Sequence, residues 1–156
     1  MDPELMLRWL HVIGASVLLG TGAGIAFFMT MAHRTSDVRL IAGTARIVVI
    51  ADMVFTATAV VAQPLTGWLL ARATGWGLSE GWIVTSLVLY VLTGAFWLPV
   101  VRIQIIMRDL ADEAVRNGTA LPTRYYRLYR LWFTLGIPAF TAVLAILWLM
   151  VARPVF

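Results

Sequence analysis

His11 and His33 are the only imidazoles in a chain that has no cysteine and no lysine. His11 stands in "LRWLHVIGASVLLGTGAG", Leu7 to Gly24, near the start of a long apolar run. On a helix it shares a face with Gly14, Ala15, Leu18 and Gly22, at spacings of three, four, seven and eleven. An imidazole above a column of small residues is what a b-type haem pocket in a helix bundle requires. The ring nitrogen ligates iron, and the missing side chains leave room for the porphyrin edge. The plainer reading is an interfacial histidine satisfied by a carbonyl, water or a headgroup. His33 is 22 residues further on, about 33 Å along one helix, so the two rings cannot share an iron. A second axial ligand at the depth of His11 would come from Gln63, Met150 or the His11 of a second protomer. His33, next to Arg34, reads as a solvated side chain.

Three other polar groups lie within apolar runs, where an ionisable side chain needs a partner. Asp52 is 18 residues from Leu70 and Arg102 is 20 from Trp82, so their depths agree within roughly 3 Å. They are expected to form an ion pair that fixes helix register; a proton relay, or Arg102 reaching headgroups, are the other readings. Gln63-Pro64 interrupts the second run. Proline frees a backbone carbonyl, and the glutamine can satisfy one or bond to another helix. Pro99 and Pro138 interrupt the third and fourth. "GTGAG", Gly20 to Gly24, holds a GxxxG pair suited to close helix packing within the protomer or across a dimer. The arginines of "RYYRLYR" could hold propionates or phosphates, or simply anchor the chain at the membrane surface. There is no HExxH, no phosphate-binding glycine loop, no pair of carboxylates placed for hydrolysis and no Ser/His/Asp arrangement, so hydrolase and transferase chemistry has no carrier. The buried polar lining that a channel or pump needs is sparse.

The elements that position these residues follow from composition. Of 156 residues 61% are hydrophobic and 13% charged, with a mean hydropathy of +0.87. A soluble core cannot absorb that much apolar side chain, so the class is polytopic membrane protein. Four runs reach the roughly 20 residues that a bilayer demands: near 5–31, 47–70, 82–107 and 131–152. Asp2-Pro3-Glu4 supplies an N-cap, a proline at the first helical position and an acid in the first turn. The first run is too long for a signal peptide and lacks a basic leader. Strand patterning is absent, so the expected fold is all-α, one four-helix membrane domain.

All twelve basic residues are arginine. Eight lie in the connections after the first and third runs and three on the other side. The positive-inside rule makes those two connections cytoplasmic and puts both termini on the periplasmic side of a bacterial inner membrane. Trp9, Trp68, Trp76, Trp82 and Trp148 form an outer belt; Trp132, Tyr125, Tyr126 and Tyr129 form an inner one. Spans two and three read as a tight hairpin. The third helix continues through "RDLADEAVRNG", braced by Arg108/Asp112 and Asp112/Arg116 and stopped at Asn117-Gly118. "LPTRYYRLYR" reads as a short interfacial segment. With the basic residues beside apolar spans, the positive charge speaks for lipid phosphate and not for nucleic acid.

The stretches "LHVIGASVLLGTGAGIAFFM", "QPLTGWLL", "WLPVVRIQIIMRDLA" and "RLWFTLGIPAFTAVLAILWLMVARP" resemble the bacterial integral membrane family called domain of unknown function 2269, over nearly the whole chain. The early "LH", the "TGxxLL" closing the second span and the terminal "RxYR…P…V(K/R)P" pattern are more distantly similar to HemJ-type four-helix membrane proteins. That likeness implies haem or porphyrin at the first-span histidine, here His11. HemJ-type enzymes carry a functional lysine early in the third span, where this chain has Ser86, so the likeness extends to the pocket and not to porphyrinogen oxidation. The expectation is a haem b protein serving electron transfer or haem handling. The competing expectation is a cofactor-free accessory subunit, packed in a homodimer or against a larger membrane complex.

Overall fold

The computed structural model describes residues 2–155. Helix α1 runs Pro3–Arg34, α2 Val38–Ala51, α3 Ala57–Ala73, α4 Gly81–Asn117 and α5 Thr123–Ala152. A π-helical turn, Asp52–Thr56, joins α2 to α3, so the second span is one continuous rod, Val38–Ala73. Four rods are long and apolar enough to cross a bilayer. Arg8 of α1 and Arg153 beyond α5 line one cavity, so both termini lie at the same end of the bundle.

The helix ends follow local chemistry. Asp2 Oδ1 accepts from the Glu4 amide at 3.0 Å, ahead of Pro3 at the first helical position. Asp37 Oδ1 accepts from the Arg39 amide at 2.8 Å and starts α2. Gly118, at φ 63°, ends α4 in the left-handed conformation that glycine tolerates best. Because Asp37 caps so early, Arg39 and Arg46 lie on α2 and not in a loop. Ile41, Ala42, Ala45, Val48 and Val49 recur at helical spacing and are all buried. That stripe extends the rod two turns before the expected start of the span. The "LPTRYYRLYR" segment is not a separate interfacial piece either; from Thr123 it forms the first turns of α5.

The bundle is closed at one end and open at the other. In the half near the α1–α2 connection, Met29, Ala42, Met107, Ala111 and Tyr125 are each 1% exposed or less and belong to one continuous apolar cluster. In the other half only Trp82, Ile83 and Leu149 form a buried cluster. Small side chains explain the closed half, because the alanines of α2 and α4 let those helices approach closely. The spans expected as a tight hairpin pack backbone to backbone only there. Helix α2 packs on α4, whereas α3 packs on α1 and α4 on α5, with no extended packing of α3 against α4. Tyr125 and Trp132 are core residues, not part of an interfacial belt. Arg46 Nε donates to Asp112 Oδ1 at 2.8 Å, and Arg108 pairs with Asp109. The two expected intrahelical pairs of Asp112 are thereby replaced by a tie between α2 and α4.

Candidate functional site

Where α3 parts from α4, the open half encloses a cavity of about 1040 Å³. Its walls come from all the long helices. His11, Ala15, Leu18 and Gly22 contribute from α1, and Met150 from α5. Val12, Leu87 and Val151 also line it and are exposed. The gap between α3 and α4 gives the cavity a lateral face as well as a mouth toward the termini.

His11 is held by two contacts with α3. Its Nδ1 lies 3.0 Å from Thr66 Oγ1. That hydroxyl has one proton, and it faces two carbonyls, Ala62 O at 2.8 Å and Gln63 O at 3.2 Å. With the hydroxyl proton given to the backbone, as in the other helix-bound threonines, Thr66 Oγ1 accepts from His11 Nδ1–H. We assign that tautomer. Nε2 carries the lone pair, is not enclosed by protein and has no hydrogen-bond partner among the described residues. Gly67 makes the fit possible, since a Cβ there would stand 3.0 Å from His11 Cε1.

Gln63 and Gly14 do something other than expected. Gln63 Nε2 donates to the His11 carbonyl oxygen at 2.8 Å. A Cβ on Gly14 would overlap that same amide nitrogen. Gly14 therefore makes room for a glutamine that ties α3 to α1, not for a macrocycle. Gln63 also lines the cavity, with its amide nitrogen tethered by that bond. The carbonyl that Pro64 leaves without its helical donor, Val60 O, accepts from Tyr90 Oη of α4. This bond links α3 and α4 across the region where their backbones part.

The floor of the cavity lies near mid-bundle and is polar. Asp52, 3% exposed, opens the π-turn. Trp97 Nε1 donates to its Oδ1 at 3.3 Å. With its amide assigned so that Oε1 accepts from Trp132 Nε1 at 3.0 Å, Gln104 Nε2 donates to Oδ2 at 2.9 Å. The expected pair with Arg102 does not form: no Arg102 nitrogen lies within 4.0 Å of the Asp52 carboxylate. Depth along the rods is right but azimuth is wrong. At 100° per residue Arg102 points about 140° from Trp97 and about 160° from Gln104 around α4.

At the opposite end of the molecule His33 is not solvated. Its ring stacks on Tyr129 with centroids 3.8 Å apart. Nδ1 donates to Met29 O at 2.7 Å. Its Nε2 and the Tyr125 hydroxyl are enclosed without a partner, and nothing in the structure explains either. The "RYYRLYR" arginines sit at this end, a full bundle length from His11, so they cannot serve a ligand there.

The family profile described as "Predicted integral membrane protein (DUF2269)" matches residues 5–154. The chain belongs to this family. No curated protein and no solved structure matches it. For this DUF2269 chain, then, chemistry is read from the site. No group of three His, Cys, Asp or Glu side chains that could cage a bare metal ion occurs among the described residues. A cofactor that brings its own equatorial ligands needs only an axial one.

Thr66, Gly67, Tyr90, Trp97 and Gln104 were missed in the sequence. Thr66 and Gly67 follow Gln63 by three and four residues, so one helical face could have grouped them. Gln104 is an amide within an apolar run and carried the same signal as Gln63.

Proposed function

We propose that this is a multi-pass protein of the bacterial cytoplasmic membrane that holds one b-type haem in the lateral cavity, for electron transfer or haem handling. What supports the reading is His11: it lines an apolar cavity, its Nδ1 is held at Thr66, and its Nε2 has no partner among the described residues. Metal-ligating histidines are oriented in just this way, by a hydrogen bond to the other ring nitrogen. The cavity volume of about 1040 Å³ stands at the top of the range for cofactor-sized ligands. Ala15 and Leu18 would lie beside the bound group and Met150 of α5 would be a second residue able to hold it, whereas Gly22, about 16 Å below His11 on α1, stands at the level of Asp52 and leaves the lower cavity free.

Arg8 and Arg153 line the mouth of the cavity and suit the propionates. Arg153 lies 5.8 Å from the Trp76 ring centre and 6.0 Å from that of Trp82, which steady it over the opening. Bound haem supplies one-electron chemistry. The chain's part is to fix the imidazole, exclude water with apolar walls and compensate two carboxylates at the rim. The arginine asymmetry supports placing this mouth on the periplasmic side.

The test is an absorption spectrum of protein purified in mild detergent from haem-replete cells, oxidised and then dithionite-reduced. A Soret band is expected, and it should vanish in His11→Ala while the protein remains folded by circular dichroism. A colourless wild-type preparation overturns the reading. It favours instead an accessory subunit, for which the open notch at Gly20, with nothing within 4 Å of an added Cβ, is the natural packing surface.

A further inference from the structure

The polar floor of the cavity has no part in holding a ligand at His11. Asp52 and Gln63, whose amide marks the level of His11, are eleven residues apart on one rod, about 16 Å. We propose that this floor is a separate binding site, for the head of a membrane-soluble hydroquinone or phenol whose hydroxyl donates to Asp52.

Four observations select that chemistry. First, the donors around Asp52 are already assigned. Trp97 gives an N–H to one carboxylate oxygen, and Gln104, in the amide orientation that also accepts from Trp132 Nε1, gives one to the other. The carboxylate is thereby aimed, and its remaining lone pairs can only accept. Asp52 is among the residues that line the cavity, so what small exposure it keeps is toward the ligand space. Second, no arginine nitrogen approaches it, so acceptor capacity is unspent in a place where water is scarce.

Third, the walls beside it are flat and aromatic: Trp97, Trp132, Phe133 and Tyr90 all line the cavity. They suit a planar ring better than a headgroup phosphate or a bare ammonium. The rest of the cavity is apolar and has a lateral face where α3 parts from α4, which suits a hydrocarbon tail. Fourth, the backbone is bent to make this site. The π-turn over Asp52–Thr56 passes the Ala57 amide to Asp52 O. The Thr56 hydroxyl, unlike those of Thr30, Thr58, Thr66, Ser86 and Thr93, makes no bond to the carbonyl one turn back. It is enclosed in a residue 8% exposed that also lines the cavity, and it stands near the Asp52 carboxylate without forming a bond of normal geometry. π-turns recur at functional sites because they re-aim side chains at a cost in helix regularity.

The experiment uses the full chain in lipid nanodiscs and the quenching of tryptophan emission by a short-tailed hydroquinone. Its O,O′-dimethyl ether, which keeps the ring and tail but cannot donate, is the control. Wild type should bind the hydroquinone about tenfold more tightly than the ether, the effect of one charge-assisted hydrogen bond. Asp52→Asn should abolish the preference, and Trp97→Phe, which leaves the carboxylate in place, should reduce it. His11→Ala should leave it unchanged, so a failure of the haem reading is distinguishable from a failure here. Equal binding of hydroquinone and ether by wild type overturns the proposal without any variant. So does a preference that survives Asp52→Asn, or tighter binding of an alkylammonium than of the hydroquinone.

Discussion

Gly14 shows how one missing methyl group can decide a contact between helices. Its hydrogen lets the Gln63 amide reach the His11 carbonyl, and a Cβ would meet that amide. Gly14→Ala should destabilise the protein by about 1–3 kcal/mol, the usual cost of overpacking. Gln63→Ala should lose less in that background than alone, since the bond is already broken; thermal unfolding of the single and double variants in detergent checks both. Thr66→Val keeps shape but leaves His11 Nδ1–H without its acceptor. It should cost about 1–3 kcal/mol and loosen whatever binds Nε2, measured as ligand retention during purification. That His11 shares a face with Ala15, Leu18 and Gly22 was legible in the sequence, and all four line the cavity. The role of Gly14 was not. Spacing gives the face a glycine occupies but not which side chain from another helix reaches into the gap.

At the scale of elements, the second span carries the lesson. Composition located it, and its proline predicted a freed carbonyl and a glutamine bonding across helices. Both occur, at Val60 and at His11. The π-turn was invisible, because no residue type in "DMVFT" demands it. That turn and the helical phase of α4 together decide the partner of Asp52. Linear depth brought Arg102 level with it, whereas azimuth gave the place to Trp97 and Gln104. Accordingly Arg102→Gln should change stability by less than about 0.5 kcal/mol, as for a surface substitution. Asp52→Asn and Gln104→Leu should be strongly non-additive, because each removes the other's partner. A double-mutant cycle by thermal or denaturant unfolding separates these outcomes; strict additivity would show that the network does not act as a unit.

For the whole molecule, the four spans and the shared end of the termini were readable from hydropathy and parity. The unequal packing of the two halves was not, because it depends on which helix pairs keep contact along their full length. The proposed orientation has a direct check in a chain without native cysteines. Single cysteines placed at Ser79, between α3 and α4, and at Thr119, between α4 and α5, should react differently with a membrane-impermeant maleimide applied to intact spheroplasts. Ser79→Cys should label, and Thr119→Cys should label only after lysis. The reverse pattern would invert the assignment.

The lateral gap between α3 and α4 changes what concentration means for this protein. An oily guest that arrives from the surrounding leaflet never has to dissolve in the aqueous phase. Its occupancy is then governed by its mole fraction among the neighbouring lipids, and partitioning, more than solubility, sets the apparent affinity. Extraction into excess detergent would thin that two-dimensional reservoir and strip the guest even from an intact pocket.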